Sequence, residues 1–391
     1  MNEREKLRSE SLNLLRFPLA VVVLTIHVFS SKGFKLLGQQ ITFDSTPLFQ
    51  EINNFIDGFL RQQSVPIYFF ISGYVFFLGI TLTRETYKRK LKNRVKTLFI
   101  PYIVWNTLTI LLGLFWYLPF FKSIFPNLYK IKLDFSLSAI LYSFWDKNNG
   151  IFIPIKAPDT MNIYPIDVPL WFLRDLMIVV LSTPIIYWLL KHTRHYLVCL
   201  LGLAWFILAY WDLGHPKQIL TAFFFFSWGA YMSINQKDML VEFGKYSRLS
   251  VVLYITLSLS YVASVHWLPD ASETIKRLNI LVGLFFAYNL AAWLLQRKIC
   301  RPNAFLASAS FFIYVAHTLI CGNILKLVFF FTRPTSNFGM LAVYASTVVL
   351  TVGILLGAFW LLRRYTPGLL KVIAGKNKRK ASPTRGNFRP L

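Results

Sequence analysis

Two ionisable residues interrupt an apolar run near the start of the chain, Leu-Asn-Leu-Leu-Arg-Phe-Pro-Leu-Ala-Val-Val-Val-Leu-Thr-Ile-His-Val-Phe at 12–29, which carries Arg16 and His27. On a helix, eleven positions of about 100° come to three turns plus roughly 20°, so both side chains project from one face, about 16 Å apart along the axis. A neutral imidazole is the natural general base near neutral pH, able to take a proton from a sugar hydroxyl as it attacks an acyl carbonyl. Arg16 offers a permanent cation to a phosphate or a polarised carbonyl. The plainer alternative is an Arg that snorkels to one membrane interface and a His that caps a helix contact near the other.

Three further places hold residues of the same kind. Ser64–Tyr102 contains the small pair Ser72-Gly73, which permits close helix approach in a membrane, followed by a basic run with Lys92, Arg94 and Lys96. That run suits the phosphates of a nucleotide-bearing donor, and equally serves as a charged anchor on the cytoplasmic side. In Val168–Met177, Trp171 and Arg174 are three apart and share a face near the depth of His27, whereas the adjacent Asp175 is expected to point elsewhere. A structural Arg–Asp pairing with other helices is the alternative there. His317 is another intramembrane His, of the kind that is either a packing residue or part of a site. His192 and His195 make an incomplete metal site, so no metal is expected. His215 and His266 fall at helix ends, and no Walker loop, dinucleotide fingerprint or nucleophile elbow is present.

The elements that position these residues follow from composition. The chain is 55% hydrophobic and 15% charged, and apolar runs long enough to cross a bilayer recur almost end to end. Hydropathy windows place about ten spans: Ser11–Ser31, Val65–Thr83, Leu98–Phe121, Leu170–Leu190, Tyr196–Trp211, Pro216–Ile234, Leu249–His266, Leu278–Gln296, Ala307–Phe331 and Met340–Leu362. The expected fold is an all-α, polytopic transmembrane bundle with both termini cytoplasmic. In that topology the cytoplasmic segments hold 27 of the 42 basic and 6 of the 17 acidic residues, and the outer ones 11 and 10. Residues 1–375 read as one transmembrane domain and 376–391 as a basic, disordered cytoplasmic tail.

The first apolar run is expected to be a retained span rather than a cleaved signal. Although the net charge is +25, the basic residues are confined to short segments between apolar runs, which argues against nucleic-acid binding. Cys199, Cys300 and Cys321 are too scattered for a disulfide framework or a zinc site. The long segment Lys122–Pro169 mixes Tyr142, Phe144, Trp145 and Tyr164 with Asp134, Asp146, Asp159 and Asp167, a pattern fit for sugar contact or for an interfacial belt.

At these residues the chain resembles the membrane acyltransferase-3 family, multi-helix O-acetyltransferases that decorate bacterial polysaccharides and other glycans. The family's Arg and His, ten residues apart in helix one, are matched by Arg16 and His27; its Val-Pro-x-Phe-Phe-x-Ser-Gly stretch by Val65–Tyr74, with Tyr68 in an aromatic slot. Its basic segment ending in Ile-Pro-Tyr is matched by Arg94–Tyr102 with Trp105-Asn106, and its later landmarks by Leu170–Arg174 and Ser310–His317. The common Arg-x-x-Arg is departed from, because Arg94 is followed by Thr97 with Lys96 beside it. The family's soluble partner domain is also lacking, so transfer is expected to be completed by the membrane domain.

The resemblance implies an enzyme of the bacterial inner membrane with no permanently bound cofactor. Acetyl-CoA, or another acyl-CoA, would bind at Arg94, Lys96 and Lys92, with His27 and Arg16 catalytic. Trp171, Arg174, His317 and Ser72 would bind substrate, the acceptor being a glycan or its lipid-linked precursor. A transporter or flippase of such intermediates, or an acyltransferase acting on lipid or protein, uses the same buried charges differently.

Overall fold

The computed structural model describes residues 3–28, 34–36, 39–118, 131–154, 163–208 and 215–375. The basic tail and Asp159 lie outside the described residues, as does the side chain of His215. Helix α1, Glu3–Val28, carries Arg16 and His27. A short hairpin of β1 (Phe34–Leu36) and β2 (Gln39–Ile41) leads to α2 (Pro47–Phe59) and α3 (Ser64–Phe77). The basic run forms α4, Arg84–Arg94, and continues through a π turn at Val95–Phe99 into α5, Ile100–Trp116. Thr83 and Thr86 bind each other's backbone N–H at the start of α4, a capping box that fixes where the basic run becomes helical. The π turn has a local cause. Pro101 has no N–H to offer the preceding turn, and Ile100 instead donates to Val95 five residues back.

The segment beyond α5 contributes β3 (Ile131–Leu133), α6 (Leu137–Ser143) and β4 (Phe152–Pro154), with β3 and β4 antiparallel. Helices α7 (Trp171–Leu181) and α8 (Thr183–Thr193) form one apolar run bent by 61°. Pro184 explains the bend, since it cannot donate to Val180, whose carbonyl accepts from the Thr183 hydroxyl at 2.7 Å. There follow α9 (Tyr196–Ile207), α10 (His215–Ile234), α11 (Met239–Gly244), α12 (Ser247–Trp267), α13 (Pro269–Gln296), α14 (Ala304–Thr332), α15 (Asn337–Tyr365) and α16 (Pro367–Ile373).

Among the described residues six helices are long and apolar enough to span a membrane, and seven if the bent pair counts as one. That differs from the ten expected. Helix α3 has 14 residues, α9 has 12, and the apolar described part of α10 is Gln218–Ile234, all short of the roughly 20 residues a straight crossing needs. The hydropathy window over Val65–Thr83 ran past the helix end, because the backbone turns extended at Leu78. The two small hairpins also qualify the all-α expectation. The molecule is nonetheless a multi-pass membrane protein: α12 and α15 expose faces such as Leu249, Val252, Leu259, Val349 and Ile354, which acyl chains solvate and water would not.

Helix α1 is central, packed on α14, α13, α15 and α3. Helices α3 and α10 cross closely because a glycine faces the partner backbone from each side. A Cβ on Gly73 would lie 2.0 Å from the Phe226 carbonyl oxygen, and one on Gly229 would lie 2.0 Å from that of Phe70. The close approach expected from Ser72-Gly73 is therefore made by Gly73, leaving Ser72 to face a cavity.

Candidate active site

Two cavities lie along α1. The first, about 520 Å³, is lined by His27 together with Trp171, Tyr164, Trp205 and a set of charged side chains. The second, about 240 Å³, is lined by Arg16, Arg94, Ser72 and Tyr68 within largely apolar walls. Phe172 and Tyr314 line both, so these two rings form the partition between them. They meet edge to face, 5.8 Å between centroids. Tyr314 is held in place by its hydroxyl, which donates to the Pro169 carbonyl. Tyr68 backs the partition from α3, with its ring 5.9 Å from Phe172 and its hydroxyl donating to the Arg16 carbonyl at 2.6 Å.

The expected pair on α1 is thus divided between two chambers. Arg16 joins Arg94, contributed by the last turn of α4, whereas Lys92 and Lys96 project from the same basic helix onto its exposed side. Arg94 also lies 5.9 Å over the Phe76 ring, and Lys90 donates to the Phe76 carbonyl. Two guanidiniums on an otherwise largely apolar lining that contains no carboxylate are able to bind an anionic group.

The His27 chamber is different in kind. Asp57 and Arg61 enter from the end of α2 and the turn that follows it, and Glu273, Lys276 and Arg277 from the first turns of α13. Arg61 is buried, donating to Asn53 Oδ1 at 2.8 Å and to the Tyr344 hydroxyl at 2.9 Å, with Asp57 3.8 Å away. Arg277 donates to Glu273 at 3.0 Å and lies 4.4 Å over the Trp205 ring. Gln62 donates to Asp57 at 2.8 Å. Such fixed, mutually paired donors and acceptors around a partly exposed Trp171 resemble the lining that recognises a polyol. None of these charged residues was singled out from the sequence. They sit in short connecting segments where a charge reads as topogenic, and the one available signal was the spacing of Asp57 with Arg61 and of Glu273 with Lys276 and Arg277.

His317 is fully buried beside His27, with ring centroids 5.1 Å apart and planes tilted by 48°. Arg174 lies elsewhere. Its Nε donates to Asp175 at 2.8 Å, and Nη1 donates to the Trp145 and Ile163 carbonyls at 2.9 and 3.1 Å. Asp175 does not point away from Arg174 as expected, because the long Arg side chain folds back to reach its sequence neighbour. Arg174 lines neither cavity and clamps the segment before α7 to the helix, so Trp171 alone of that pair faces the His27 chamber.

In the same segment Tyr164 reaches the chamber, while Trp145 lies under the Arg174 guanidinium at 4.8 Å. Asp134 and Asp146 accept from backbone N–H groups of turns. Asp167, just before the α7 span, is buried, and burial pushes its carboxyl up to about 7 against a bond from the Thr318 hydroxyl. Among the described residues no cluster of three or more His, Cys, Asp or Glu side chains is placed to hold a metal.

Comparison with known proteins agrees with this architecture. The chain matches the acyltransferase-3 family model, an acyltransferase domain, over residues 9–363. It is also similar to the succinoglycan biosynthesis protein ExoH of Rhizobium meliloti (strain 1021), 26% identical over 94% of this chain and 92% of that protein. No solved structure matches it. The match takes in both cavities, their partition and every helix that lines them, and the chain belongs to the acyltransferase-3 family as a multi-pass membrane acyltransferase.

Proposed function

We propose that this acyltransferase moves an acetyl or other short acyl group from acyl-CoA to a hydroxyl of a cell-envelope glycan or its lipid-linked precursor, in the inner membrane of a bacterium. The observation that carries the reading is the pair of cavities that share Phe172 and Tyr314, one holding two guanidiniums and the other His27. The charge bias of the connecting segments supports a chain with both termini cytoplasmic and about ten membrane-embedded helices, α3, α9 and α10 among them. The Arg16 cavity then opens toward the cytoplasm, where acyl-CoA is made, and the His27 chamber toward the other side. The tail 376–391 is a basic segment at the inner leaflet.

The donor's phosphates are gripped by Arg94 and Arg16, with Lys92 and Lys96 adding charge outside the slot, and its acyl thioester is threaded between Tyr68 and Ser72 to the partition. On the other side Trp171, Gln62 and the paired charges hold the glycan with a hydroxyl against His27. His27 takes the hydroxyl proton as the oxygen attacks the acyl carbon. A C–O bond forms, the C–S bond breaks, and the leaving thiolate recovers the proton from His27. The relative's part in succinoglycan biosynthesis supports a saccharide acceptor.

The test is transfer from labelled acetyl-CoA to isolated envelope glycan by the purified protein, read by mass spectrometry as a base-labile ester. Label in lipid rather than glycan would move the acceptor, and turnover without CoA release would overturn the donor.

A further inference from the structure

His317 is fully buried one ring away from His27, and its own hydrogen bonds fix which of its nitrogens is bare. Nδ1 lies 2.7 Å from the Tyr314 carbonyl oxygen and 3.2 Å from that of Ile313. Carbonyl oxygens only accept, so Nδ1 carries the hydrogen, and in the neutral ring Nε2 is left with its lone pair. Nε2 is buried and has no hydrogen-bond partner among the described residues. A buried acceptor without a donor costs about 1–3 kcal/mol, so a nearby N–H is drawn to it. Two imidazoles joined by one N–H···N bond of ordinary length have centroids about 5 Å apart, close to the 5.1 Å separating His27 and His317. The bond is not made in this state, where Nε2 of His317 has no partner among the described residues, and a reorientation of the partly buried His27 ring makes it, as catalytic hydrogen bonds often tighten once substrate is bound.

We infer that His317 is the positioning residue of the reaction: its Nε2 accepts the N–H of the His27 ring nitrogen nearer to it, which leaves the other His27 nitrogen bare toward the chamber. This rests on the acyl-transfer reading above and assigns His317 a place behind the base rather than against substrate. The logic is that of any base whose far nitrogen is held by an acceptor: the acceptor selects the tautomer, orients the ring, and stabilises the imidazolium that forms when the hydroxyl proton arrives. His317 cannot itself be the base, since its bare nitrogen has no exposed surface and the His27 ring, not that nitrogen, lines the chamber. Unlike a carboxylate in the same role, a neutral imidazole adds no charge to an apolar helix packing.

The experiment uses the full chain in lipid nanodiscs with acetyl-CoA and envelope glycan, comparing His317→Phe, His317→Asn and His317→Gln with the unaltered protein. Phe keeps the ring and removes the acceptor. Asn places its amide near the Nδ1 position and falls short of His27, whereas the Gln amide oxygen reaches the Nε2 position. The expected result is a fall in kcat of about 10- to 100-fold for Phe and Asn with donor KM unchanged, and substantial recovery in Gln. Independently of activity, 15N-histidine NMR should show one dominant His27 tautomer in the unaltered protein and in His317→Gln, and a tautomer mixture in His317→Phe. Equal losses in Phe and Gln, or an unchanged His27 tautomer in Phe, would overturn the inference. Full activity in His27→Ala would instead overturn the acyl-transfer reading through His27, and the NMR result would still decide the pairing.

Discussion

The Arg16 cavity and the His27 chamber meet at the same two rings yet present opposite surfaces. One is a slot of about 240 Å³ whose apolar and aromatic lining includes two guanidiniums. The other, about 520 Å³, is lined by both signs of charge, with Glu273 bonded to Arg277 and Gln62 to Asp57. A lining whose charged groups are guanidiniums suits a ligand that brings its own negative charge; a lining that carries both signs suits a neutral ligand with many hydroxyls. An enzyme joining a phosphorylated donor to a sugar needs one of each, separated so that water cannot reach the thioester from the acceptor side. The rings of Phe172 and Tyr314 stand where the two cavities meet, and the acyl carbon has to pass between them to reach the hydroxyl.

If the division of labour is right, substitutions should split by chamber. The largest effect is expected for His27→Ala, which should lower kcat on the order of 10²- to 10⁴-fold while leaving donor KM unchanged, measured as acetyl transfer by purified protein. Next is Arg94→Ala or Arg16→Ala. Losing a charge-assisted bond of about 1.5–3 kcal/mol raises donor KM roughly 10- to 100-fold without altering acceptor KM. A rise in acceptor KM instead would mean that the phosphates do not lie in the slot.

These two sets of residues were not equally legible. Arg16, His27 and His317 stand out in sequence because an ionisable group inside an apolar run is costly and therefore conspicuous, and Arg94 as one member of a basic run. Asp57, Arg61, Glu273, Lys276 and Arg277 belong to segments where charge is ordinary, and only the fold shows that α2 and α13 bring them over one cavity. Arg174 is the converse case. Its position in an apolar helix marked it as a substrate residue, yet its reach lets it bond Asp175 and two carbonyls of the preceding segment. Spacing predicts which face a side chain leaves from, and says little about where a long flexible one ends. Helix bounds are hard to read for a related reason, since hydropathy windows follow apolar length and not the turns at Leu78 or Ser182.

A smaller effect sharpens the acceptor side. Gln62→Ala removes one neutral donor from the His27 chamber and should raise acceptor KM about 2- to 10-fold with donor KM unchanged, read with the same glycan. The partition has its own probe one turn along α14 from Tyr314, where Thr318 binds Asp167. Because burial raises the Asp167 carboxyl to about 7, its contribution to stability is complete below the ordinary carboxylate range and lost as pH rises through about 7. The unaltered protein should therefore melt at a higher temperature at pH 5 than at pH 8, followed by tryptophan fluorescence, and Asp167→Asn should shrink that difference.

The smallest expected effect is the most discriminating for the slot. Lys92 and Lys96 belong to the same basic run as Arg94, and by sequence the three are equivalent candidates for the donor's phosphates. Their placement differs, since only Arg94 lines the cavity while both lysines face outward. An exposed charge acts through solvent and salt, where a pair contributes about 0–1 kcal/mol. Lys96→Ala should accordingly raise donor KM less than about fivefold in low salt and leave it nearly unchanged at higher salt. Arg94→Ala should keep most of its effect in both. Equal, salt-sensitive losses in the two variants would mean that the donor is held along the helix surface and that the slot carries only its acyl arm.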